Sequence, residues 1–463
     1  MERWVNQEEA FQFAKNRPSV MLDMDMGTGK TRVAIDLLRY HEEIQTILVV
    51  CPKVVLEVWP KELEKHAPDW KYSLLTLNKG TVVQKSIELK SFMECSNPIF
   101  PKIVMVNYDI VWRQPLGGVI IGSRFDAIIL DESHKAKSAG SKVSEYLAMI
   151  GKHAKYKYCL SGTPMANSPL DVYGQYRFLD PTIFGTRVGD FRDKYAIMGG
   201  PEHNFVVGYK NLKDLNERFH SIAYSCKMDD IRDRLNLPEE LPPRIVYGEL
   251  PGASAAVSKN LSKKFIAEIE SKTIELKNVL QLGLRLRQIT SGFCMAQDSP
   301  LGPKELVVMN DVKERMLEDE LSNVSPEASV VVFCVFRYDI ESVYRACRRA
   351  GRDPFELSGL RNEKELWVAN PGSVLIVQIQ AGAEGIDMTK SHTCFYYSLP
   401  TSFAQYNQSK ARLYRPGQEN RVSFNYIMLR GTIDEVLYDS LQNKQDLVDG
   451  VTNGTLNYKL LKH

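Results

Sequence analysis

The sequence predicts an α/β protein made of two parallel-sheet lobes in tandem, with helical insertions. Three observations lead to this fold class. A chain of 463 residues is too long for one hydrophobic core and indicates two or three domains. Short apolar strands alternate with amphipathic helices in two separate blocks, which is typical of parallel sheets covered on both faces. Glycine-containing loops follow strands in both blocks, at the sheet edge where such proteins bind ligands.

The composition excludes several classes of protein. Hydrophobic residues make up 44% and charged residues 25%, which is typical of a globular protein without extensive disorder. No apolar run reaches the roughly 20 residues that span a bilayer, and the chain does not start with a signal peptide, so we expect no membrane partner. The eight cysteines are scattered without a Cys-x-x-Cys pair, which predicts neither zinc nor disulfides and favours a cytoplasmic location. Since the net charge is only +2, any nucleic-acid surface must be local.

Residues 24–31 form the strongest local motif. They lie between an apolar run at 19–22, which predicts a buried strand, and residues 31–38, whose apolar spacing predicts a helix. This order is typical of a phosphate-binding loop, in which backbone N–H groups and a helix N-terminus face an anion. We expect Lys30 to reach the β- and γ-phosphates and Thr31 to bind Mg²⁺. The residues predicted to contact the nucleotide here are Gly27, Thr28, Gly29, Lys30 and Thr31.

Other polar residues near strand ends are candidate ligand contacts. The amide of Gln7, upstream of the loop, can hydrogen-bond both edges of an adenine, although a surface glutamine is an equal alternative. Lys53, Asn107 and Tyr108 follow the next two strong apolar runs. Because ligands bind at the carboxyl ends of parallel strands, these three residues are candidates for polar contact with a ligand, against the alternative of a solvated loop.

Two adjacent carboxylates, Asp131 and Glu132, follow the apolar run at 125–130. Adjacent acids repel each other, so a purely structural role is disfavoured unless a cation lies nearby. We expect Asp131 to hold Mg²⁺, directly or through water, and Glu132 to orient and deprotonate an attacking water. The hydroxyls of Ser161 and Thr163 follow another apolar strand, where they can sense the state of the bound phosphate.

Together these motifs resemble those of superfamily-two helicases and translocases. Segments further along the chain, at 178–181 and 284–289, are similar to those of the Swi/Snf-like branch. The resemblance implies two RecA-like lobes that close on ATP and Mg²⁺ while tracking DNA. In chain order, the motifs are Gly-Thr-Gly-Lys-Thr at 27–31, Asp-Glu-Ser-His at 131–134, and Leu-Ser-Gly-Thr-Pro-Met-Ala-Asn-Ser at 160–168.

The resemblance also assigns roles in a second sheet domain, which is predicted to begin near Arg287. It implies that Gly382 contacts nucleic acid and that Gly385 and Asp387 contact the nucleotide. It further implies four residues that couple hydrolysis to movement. These are His134, Ser161, Thr163 and Gln408.

The last motif of the family is matched by residues 405–418. Arg412 and Arg415 are three residues apart, so on a helix they share one face. A solvated basic face is the alternative that this spacing alone leaves open. The resemblance implies that these arginines are presented across a cleft to the nucleotide.

Between about 172 and 293 the alternation of strands and helices stops. This region resembles the helical insertions of the family, and it leads to a division into 1–171, 172–293 and 294–463. The basic Arg-Arg-Thr-Lys segment of the family is reduced here to Tyr-Ser-Cys-Lys at 224–227, a departure that weakens the case for a DNA or partner contact there.

The sequence therefore predicts a DNA-dependent ATPase that acts as a monomer, alone or with an unidentified protein partner. We expect duplex DNA to be held through its phosphates, independently of base sequence, by Lys53, Asn107, Tyr108 and loops of the second lobe. Three alternatives remain. They are a strand-separating or branch-migrating helicase, which needs a wedge, an RNA-directed enzyme, and a nucleotide-gated DNA clamp without motor activity.

Overall fold

The structure is a computed structural model that divides into two compact units, Met1–Asn236 and Leu237–His463. The boundary between the units falls inside the segment 172–293, so each unit contains part of that segment. The division into three segments stays a prediction. The residues that the structure describes are 3–95, 100–165, 168–199, 205–235, 237–271, 276–297, 304–382, 386–452 and 454–461.

The first unit is built on a parallel sheet with helices on both faces. Its strands are β1 (Ser19–Met24), β2 (Thr46–Cys51), β3 (Ser73–Thr76), β4 (Lys102–Asn107), β5 (Ala127–Asp131), β6 (Tyr156–Ser161), β7 (Ala196–Gly199), β8 (Phe205–Tyr209) and β9 (Ala223–Cys226). Among the described residues, seven of these strands form the sheet, in the order β3–β4–β2–β5–β6–β1–β9, and every neighbouring pair is parallel. The strands β7 and β8 form a separate antiparallel hairpin.

Helices connect these strands and cover the sheet. They are α1 (Val5–Ala14), α2 (Lys30–Tyr40), α3 (Val58–His66), α4 (Val82–Glu94), α5 (Leu116–Ser123), α6 (Lys142–Gly151), α7 (Val172–Leu179), α8 (Pro181–Phe184), α9 (Val188–Tyr195), α10 (Leu212–His220) and α11 (Met228–Ile231). Short 3₁₀ turns lie at Lys53–Glu57, Ser133–Ala136, Pro169–Asp171 and Asp233–Leu235.

The second unit repeats this architecture. Its strands are β10 (Arg244–Gly248), β11 (Phe293–Gln297), β12 (Lys304–Val308), β13 (Val330–Cys334), β14 (Pro354–Leu357), β15 (Val374–Gln378), β16 (Thr393–Tyr396) and β17 (Ser423–Leu429). In the part of the unit that the structure describes, six of them form a parallel sheet in the order β10–β17–β16–β13–β15–β14. The strands β11 and β12 pair as an antiparallel hairpin.

The helices of the second unit follow the same pattern of crossover connections. They are α12 (Gly252–Ile269), α13 (Leu276–Thr290), α14 (Val312–Asn323), α15 (Arg337–Arg349), α16 (Lys364–Ala369), α17 (Ile379–Gly382), α18 (Phe403–Leu413), α19 (Ile433–Gln442) and α20 (Leu447–Thr452), with a 3₁₀ turn at Tyr458–Leu461. The predicted fold class, two α/β lobes in tandem with parallel sheets, is confirmed.

Each sheet is buried on both faces, which explains the continuous apolar runs of its strands. Successive residues of a strand point to opposite faces. In β5, Leu130 packs into one core of the first unit and Ile129 into the other. In β13, Val331 and Val332 divide in the same way between two cores of the second unit. The hydrophobic runs therefore predict parallel strands because both faces of each strand need apolar partners.

The structure corrects one expectation about the middle of the chain. Strands do not stop between 172 and 293, because β9 and β10 lie there and form edge strands of the two sheets. The sequence of β9 is only Ala-Tyr-Ser-Cys, which is too short and too polar to show a periodic pattern. Its strand conformation comes from backbone pairing with β1, a tertiary contact.

The order β5–β6–β1 places three motifs at one edge of the first sheet. Asp131 is the last residue of β5, and Ser161 is the last residue of β6. Ser161 lies in register with Asp23 of β1, the strand that leads into the glycine loop.

In the part of the chain that the structure describes, every helix is too short or too polar to span a bilayer.

The contact between α7 and the segment after Glu132 depends on a glycine. A Cβ on Gly174 would lie 2.2 Å from the carbonyl oxygen of Ala136. Gly174→Ala should therefore push α7 away and destabilise the protein by about 1–3 kcal/mol, measured by chemical denaturation. Gly122 of α5 has no heavy atom within 4 Å of such a Cβ. The control Gly122→Ala should be neutral or stabilising by up to about 1 kcal/mol, and equal stability of the two variants would contradict this packing.

Candidate functional site

The glycine loop between β1 and α2 has the backbone conformation of an anion-binding turn. Gly27 and Gly29 have φ angles of 83° and 86°, in the left-handed region that favours glycine. Thr28 is fully buried, and its hydroxyl and N–H donate to the carbonyl of Asp25 at 2.7 and 3.3 Å. The Thr28 carbonyl accepts a hydrogen bond from Asn6 Nδ2 at 2.9 Å. Asn6, which the sequence analysis missed, therefore helps to hold the loop.

Lys30 and Thr31 begin the helix α2, where backbone N–H groups are free to meet an anion. Lys30 is buried, and Thr31 is partly exposed. The amide of Gln7 packs onto the loop, since a Cβ on Gly29 would lie 2.0 Å from Gln7 Nε2. The amide oxygen of Gln7 accepts the N–H of Trp4 at 3.0 Å. Gln7 thus lies beside the loop as expected, and its contact with adenine stays a prediction.

The two carboxylates of the site are both buried, with 6% of each residue exposed. Asp131 Oδ2 accepts a hydrogen bond from Trp59 Nε1 at 2.8 Å, and Oδ1 accepts the N–H of Glu132 at 3.0 Å. The hydroxyl of Tyr108 donates to the carbonyl of Asp131 at 2.9 Å. Burial and the neighbouring charge of Glu132 raise the pKa of Asp131 to about 6, although Lys30 acts in the opposite direction.

The residues at this edge fit a magnesium ion and a polyphosphate. Asp131 and Glu132 carry two negative charges in a buried place where Lys30 supplies one positive charge, and burial, followed by the charge of Glu132, raises the pKa of Asp131. A divalent cation would balance the excess of negative charge. Carboxylate and hydroxyl oxygens, such as those of Asp131 and Thr31, are the ligands that Mg²⁺ takes together with phosphate oxygens. The predicted metal-binding residues are therefore chemically suited to Mg²⁺.

A chain of polar contacts leads away from Glu132. Glu132 has a φ of 51°, a strained conformation for a residue other than glycine. Its Oε2 lies 3.4 Å from His134 Nδ1, and the same nitrogen lies 3.3 Å from Ser161 Oγ. Ser161 Oγ also accepts the N–H of Thr163 at 3.1 Å. The structure thus brings together three of the residues predicted to couple hydrolysis to movement.

A second link between the same two loops was missed. The hydroxyl of Ser133 donates to Gln175 Oε1 at 2.7 Å. Gln175 Nε2 donates to the carbonyl oxygens of Pro164 and Asp171 at 2.7 and 3.0 Å. Gln175 is fully buried on α7. A glutamine within an apolar helix was the only signal in the sequence, and it does not reveal which groups the amide would reach.

The structure separates the strand-end residues that were candidates for contact with DNA. Lys53 is exposed at the start of the turn after β2. Asn107 and Tyr108 are each only 5% exposed, and Asn107 Oδ1 accepts the N–H of Asp109 at 3.0 Å. The hydroxyl of Tyr108 holds the strand that ends in Asp131, and contact of Asn107 or Tyr108 with DNA stays a prediction. Contact between Lys53 and a phosphate stays a prediction.

In the second unit, Asp387 and Arg415 lie near each other. Partial burial opposes the charge of Asp387, but the N–H and hydroxyl of Thr389, at 2.9 and 2.8 Å, and the positive charge of Arg415 lower its pKa overall. Gly382 is the last residue of α17. The predicted nucleotide contact Gly385 lies outside the described residues.

The expectation that Arg412 and Arg415 share a helix face is wrong. The helix α18 ends at Leu413, so Arg412 lies in its last turn and Arg415 lies beyond it. The cause is Pro416, because the ring of a proline disfavours helical backbone angles in the residue before it. Arg412 is buried and Arg415 is partly exposed. Gln408 is buried one turn before Arg412 on the same side of α18.

Family models match both units. The SNF2-related domain matches residues 7–292, which is more than half of the chain, and the helicase conserved C-terminal domain matches residues 312–417. The chain therefore belongs to the SNF2-related family and contains the two-part core of a helicase-type ATPase. The resemblance to the Swi/Snf-like branch is confirmed.

Individual relatives are distant. The chain is 24% identical to the human DNA annealing helicase and endonuclease ZRANB3 over 467 residues, covering 97% of this chain and 40% of the relative. It is 24% identical to the putative ATP-dependent helicase/translocase YwqA of Bacillus subtilis over 445 residues, covering 92% and 46%. The chain thus spans less than half the length of these relatives. The SWI2/SNF2 ATPase core of Sulfolobus solfataricus in complex with dsDNA aligns over 100% of this chain and 96% of its own, with 19% identity and a TM-score of 0.45.

The buried Asp131 should give the metal-free protein a specific dependence on pH. Its pKa is raised from 3.8 to about 6, so the folded state binds this proton more tightly than the unfolded state. The free energy of unfolding should therefore fall as the pH rises from about 4 to about 6. We expect the free energy of unfolding of Asp131→Asn not to show this decrease, as measured by chemical denaturation with a chelator present.

The control for this measurement is Asp69→Asn, because the side chain of Asp69 is 71% exposed. Between about pH 4 and about pH 6 that variant should run parallel to the parent protein, because a backbone hydrogen bond and the charge of Arg39 lower the pKa of Asp69, which therefore titrates below this window. A constant difference in unfolding free energy between Asp131→Asn and the parent would show that Asp131 does not titrate in this window.

Proposed function

We propose that this chain is the motor core of a DNA-dependent ATPase that moves along duplex DNA. One observation carries the proposal. The glycine loop, Asp131 and Glu132 converge at a single edge of the first sheet, and they do so in a chain of the SNF2-related family.

The residues of the first unit divide the work of hydrolysis. Lys30 and the N–H groups at the start of α2 bind the phosphates of ATP. Asp131 and Thr31 would hold Mg²⁺, which would supply positive charge to the transferring phosphoryl group. Glu132 takes the proton of the attacking water, and its strained backbone and its contact with His134 hold the carboxylate in place. Burial of this edge strengthens each of these electrostatic interactions.

In the second unit, Arg415 is the better of two candidates for the arginine that contacts the transferring phosphoryl group. It is partly exposed, and its positive charge helps to lower the pKa of Asp387, so it lies beside another predicted nucleotide contact. Arg412 is more deeply buried, with only 5% of the residue exposed, so it is less accessible to a ligand. Closure of the two lobes on ATP would bring such an arginine to the nucleotide, as an arginine finger does.

DNA is the partner that the names of the relatives support, and we propose the duplex form. ZRANB3 is named a DNA annealing helicase and endonuclease, and YwqA a putative ATP-dependent helicase/translocase. We propose that the DNA is held through its phosphates by exposed basic residues such as Lys53, without base readout. Repeated closing and opening of the two lobes would then move the protein along the duplex. We propose that it does so as a monomer.

Hydrolysis should be separable from nucleotide binding at Glu132. We expect Glu132→Gln to bind ATP within twofold of the parent and to lose at least about 10²-fold in turnover, because the amide cannot accept the proton. Lys30→Ala should lose both binding and turnover. The parent rate should rise more with duplex DNA than with single-stranded DNA or RNA in a steady-state ATPase assay. Parent-like turnover by Glu132→Gln would disprove the role of Glu132 as the general base. Equal stimulation by RNA would disprove the proposal that DNA is the nucleic acid that stimulates hydrolysis.

A second candidate function, strand separation, is favoured by the β11–β12 hairpin. Met295 and Leu306 lie opposite each other in the hairpin and are 38% and 46% exposed. The next residue, Val307, points to the other face and is 42% exposed. Apolar residues are thus exposed on both faces of the paired strands. Side chains of this kind can insert between bases and unstack them, which is what a wedge requires.

Two substrates distinguish the candidate functions. We expect the parent protein to displace the third strand of a triplex and to leave a long blunt duplex intact, since translocation needs no wedge. If the parent separates the duplex, and Leu306→Ser abolishes this while the DNA-stimulated ATPase rate is kept, strand separation replaces translocation as the function. Val257→Ser is the matched control, because Val257 is a similarly exposed apolar residue of α12, 42% exposed.

A further inference from the structure

Two carboxylates lie directly before the glycine loop. Asp23 is the second-last residue of β1 and is 6% exposed, and Asp25 is the first residue after that strand, with a side chain that is 21% exposed. The loop begins two residues later, at Gly27. Negative charges in this position oppose the binding of a polyphosphate. A loop that binds nucleotide therefore needs something that offsets them.

The segment after β9 supplies the offsetting groups. Lys227 Nζ lies 3.0 Å from Asp23 Oδ1 and 3.6 Å from Asp25 Oδ1. The second oxygen of Asp23 accepts the hydroxyl of Ser225 at 2.8 Å, and the second oxygen of Asp25 accepts the N–H of Met228 at 2.9 Å. Neutral donors thus satisfy one oxygen of each carboxylate, and Lys227 brings the positive charge to both.

The lysine is held in place by the sheet. The strand β9 pairs with β1 in a parallel register that places Ser225 opposite Asp23 and Cys226 opposite Met24. Lys227 follows at once. Burial opposes its charge, but the two carboxylates raise the pKa of Lys227 overall, so it is charged at neutral pH. Residues 224–227 read Tyr-Ser-Cys-Lys in place of Arg-Arg-Thr-Lys, and Lys227 is the one residue that both segments share.

Asp25 also connects this cluster to the shape of the loop. Its carbonyl accepts both the hydroxyl and the N–H of Thr28. Its own N–H donates to the carbonyl of Cys226 at 2.9 Å. The contacts with β9 therefore act on the loop in two ways, through the charge of Lys227 and through the position of Asp25.

We propose that Lys227 sets the affinity of the glycine loop for nucleoside triphosphates by neutralising Asp23 and Asp25. This inference rests on the proposed function, since it concerns the same nucleotide site. Lys227 is a positioning residue that acts through the two carboxylates. Its side chain is 47% exposed, so the effect is moderated by solvent.

The first test compares Lys227→Met with Lys227→Arg. Binding of ATP and ADP is measured by calorimetry without DNA, at low and high salt. Lys227→Met should weaken ATP binding by roughly three- to tenfold at low salt, which is the size of an uncompensated charge several ångströms away in a mostly aqueous medium. ADP should be affected less because it carries less charge. The loss should shrink at about 0.5 M salt, and Lys227→Arg should stay near the parent.

Removal of a carboxylate charge should reverse the defect. Asn keeps an acceptor oxygen for Met228 or Ser225 and removes the charge, so Asp25→Asn or Asp23→Asn added to Lys227→Met should restore ATP binding to within about twofold of the parent. Asp25→Asn alone should tighten ATP binding. This effect of opposite sign keeps the test valid even if Lys227→Met folds poorly.

The outcomes separate this inference from the proposed function. A parent protein that does not bind ATP would overturn the proposed function. A parent that binds ATP, with Lys227→Met equal to it or with a loss that neither salt nor Asp25→Asn changes, would overturn the role of Lys227. The matched control is Lys90→Met on α4, because the side chain of Lys90 is 66% exposed beside Glu94 and lies outside the cluster. Binding by that variant should equal the parent at every salt concentration.

Discussion

The candidate site depends on the burial of negative charge next to one lysine. Asp131 and Glu132 are almost wholly removed from water, and this burial, together with the neighbouring charge of Glu132, raises the pKa of Asp131. Such an arrangement costs stability in the free protein, because isolated buried charges are unfavourable and Lys30 compensates only one. It is suited to a ligand that brings its own cation. The protein keeps a destabilised edge of the sheet where Mg²⁺ and phosphate are expected to bind.

The surrounding contacts hold this charged edge in one geometry. Trp59 and the N–H of Glu132 each use one oxygen of Asp131, and Tyr108 holds its carbonyl. The chain of contacts from Glu132 reaches the loop after β6 through His134, while Gln175 links the same two loops from inside the protein. A shift of the Glu132 carboxylate can therefore be passed to the loop after β6. These contacts are the local basis for our proposal that hydrolysis is coupled to movement.

Carboxylate charge is also balanced on the other side of β1. Asp23 and Asp25 would oppose an anionic ligand, and Lys227, which directly follows the distant strand β9, offsets their charge. The glycine loop thus lies between two clusters of carboxylates, each balanced in a different way. One is matched to Lys30 and an expected metal ion, and the other to a lysine of the protein itself.

The sequence alone determined the fold class, and it predicted the residues of the glycine loop and of the carboxylate pair. The strands of both sheets are buried on two faces and read as uninterrupted apolar runs, and a glycine loop before a helix is a local pattern. Tertiary structure decided what depends on partners distant in the chain. The strand β9 exists because it pairs with β1, Gln175 matters because two loops meet it, and Tyr108 turns inward to the backbone of Asp131. The separation of Arg412 from Arg415 is a smaller case, since Pro416 was visible in the sequence but the end of α18 was not recognised. Charge balance at a site is set by which side chains approach in space, and spacing along the chain does not contain that information.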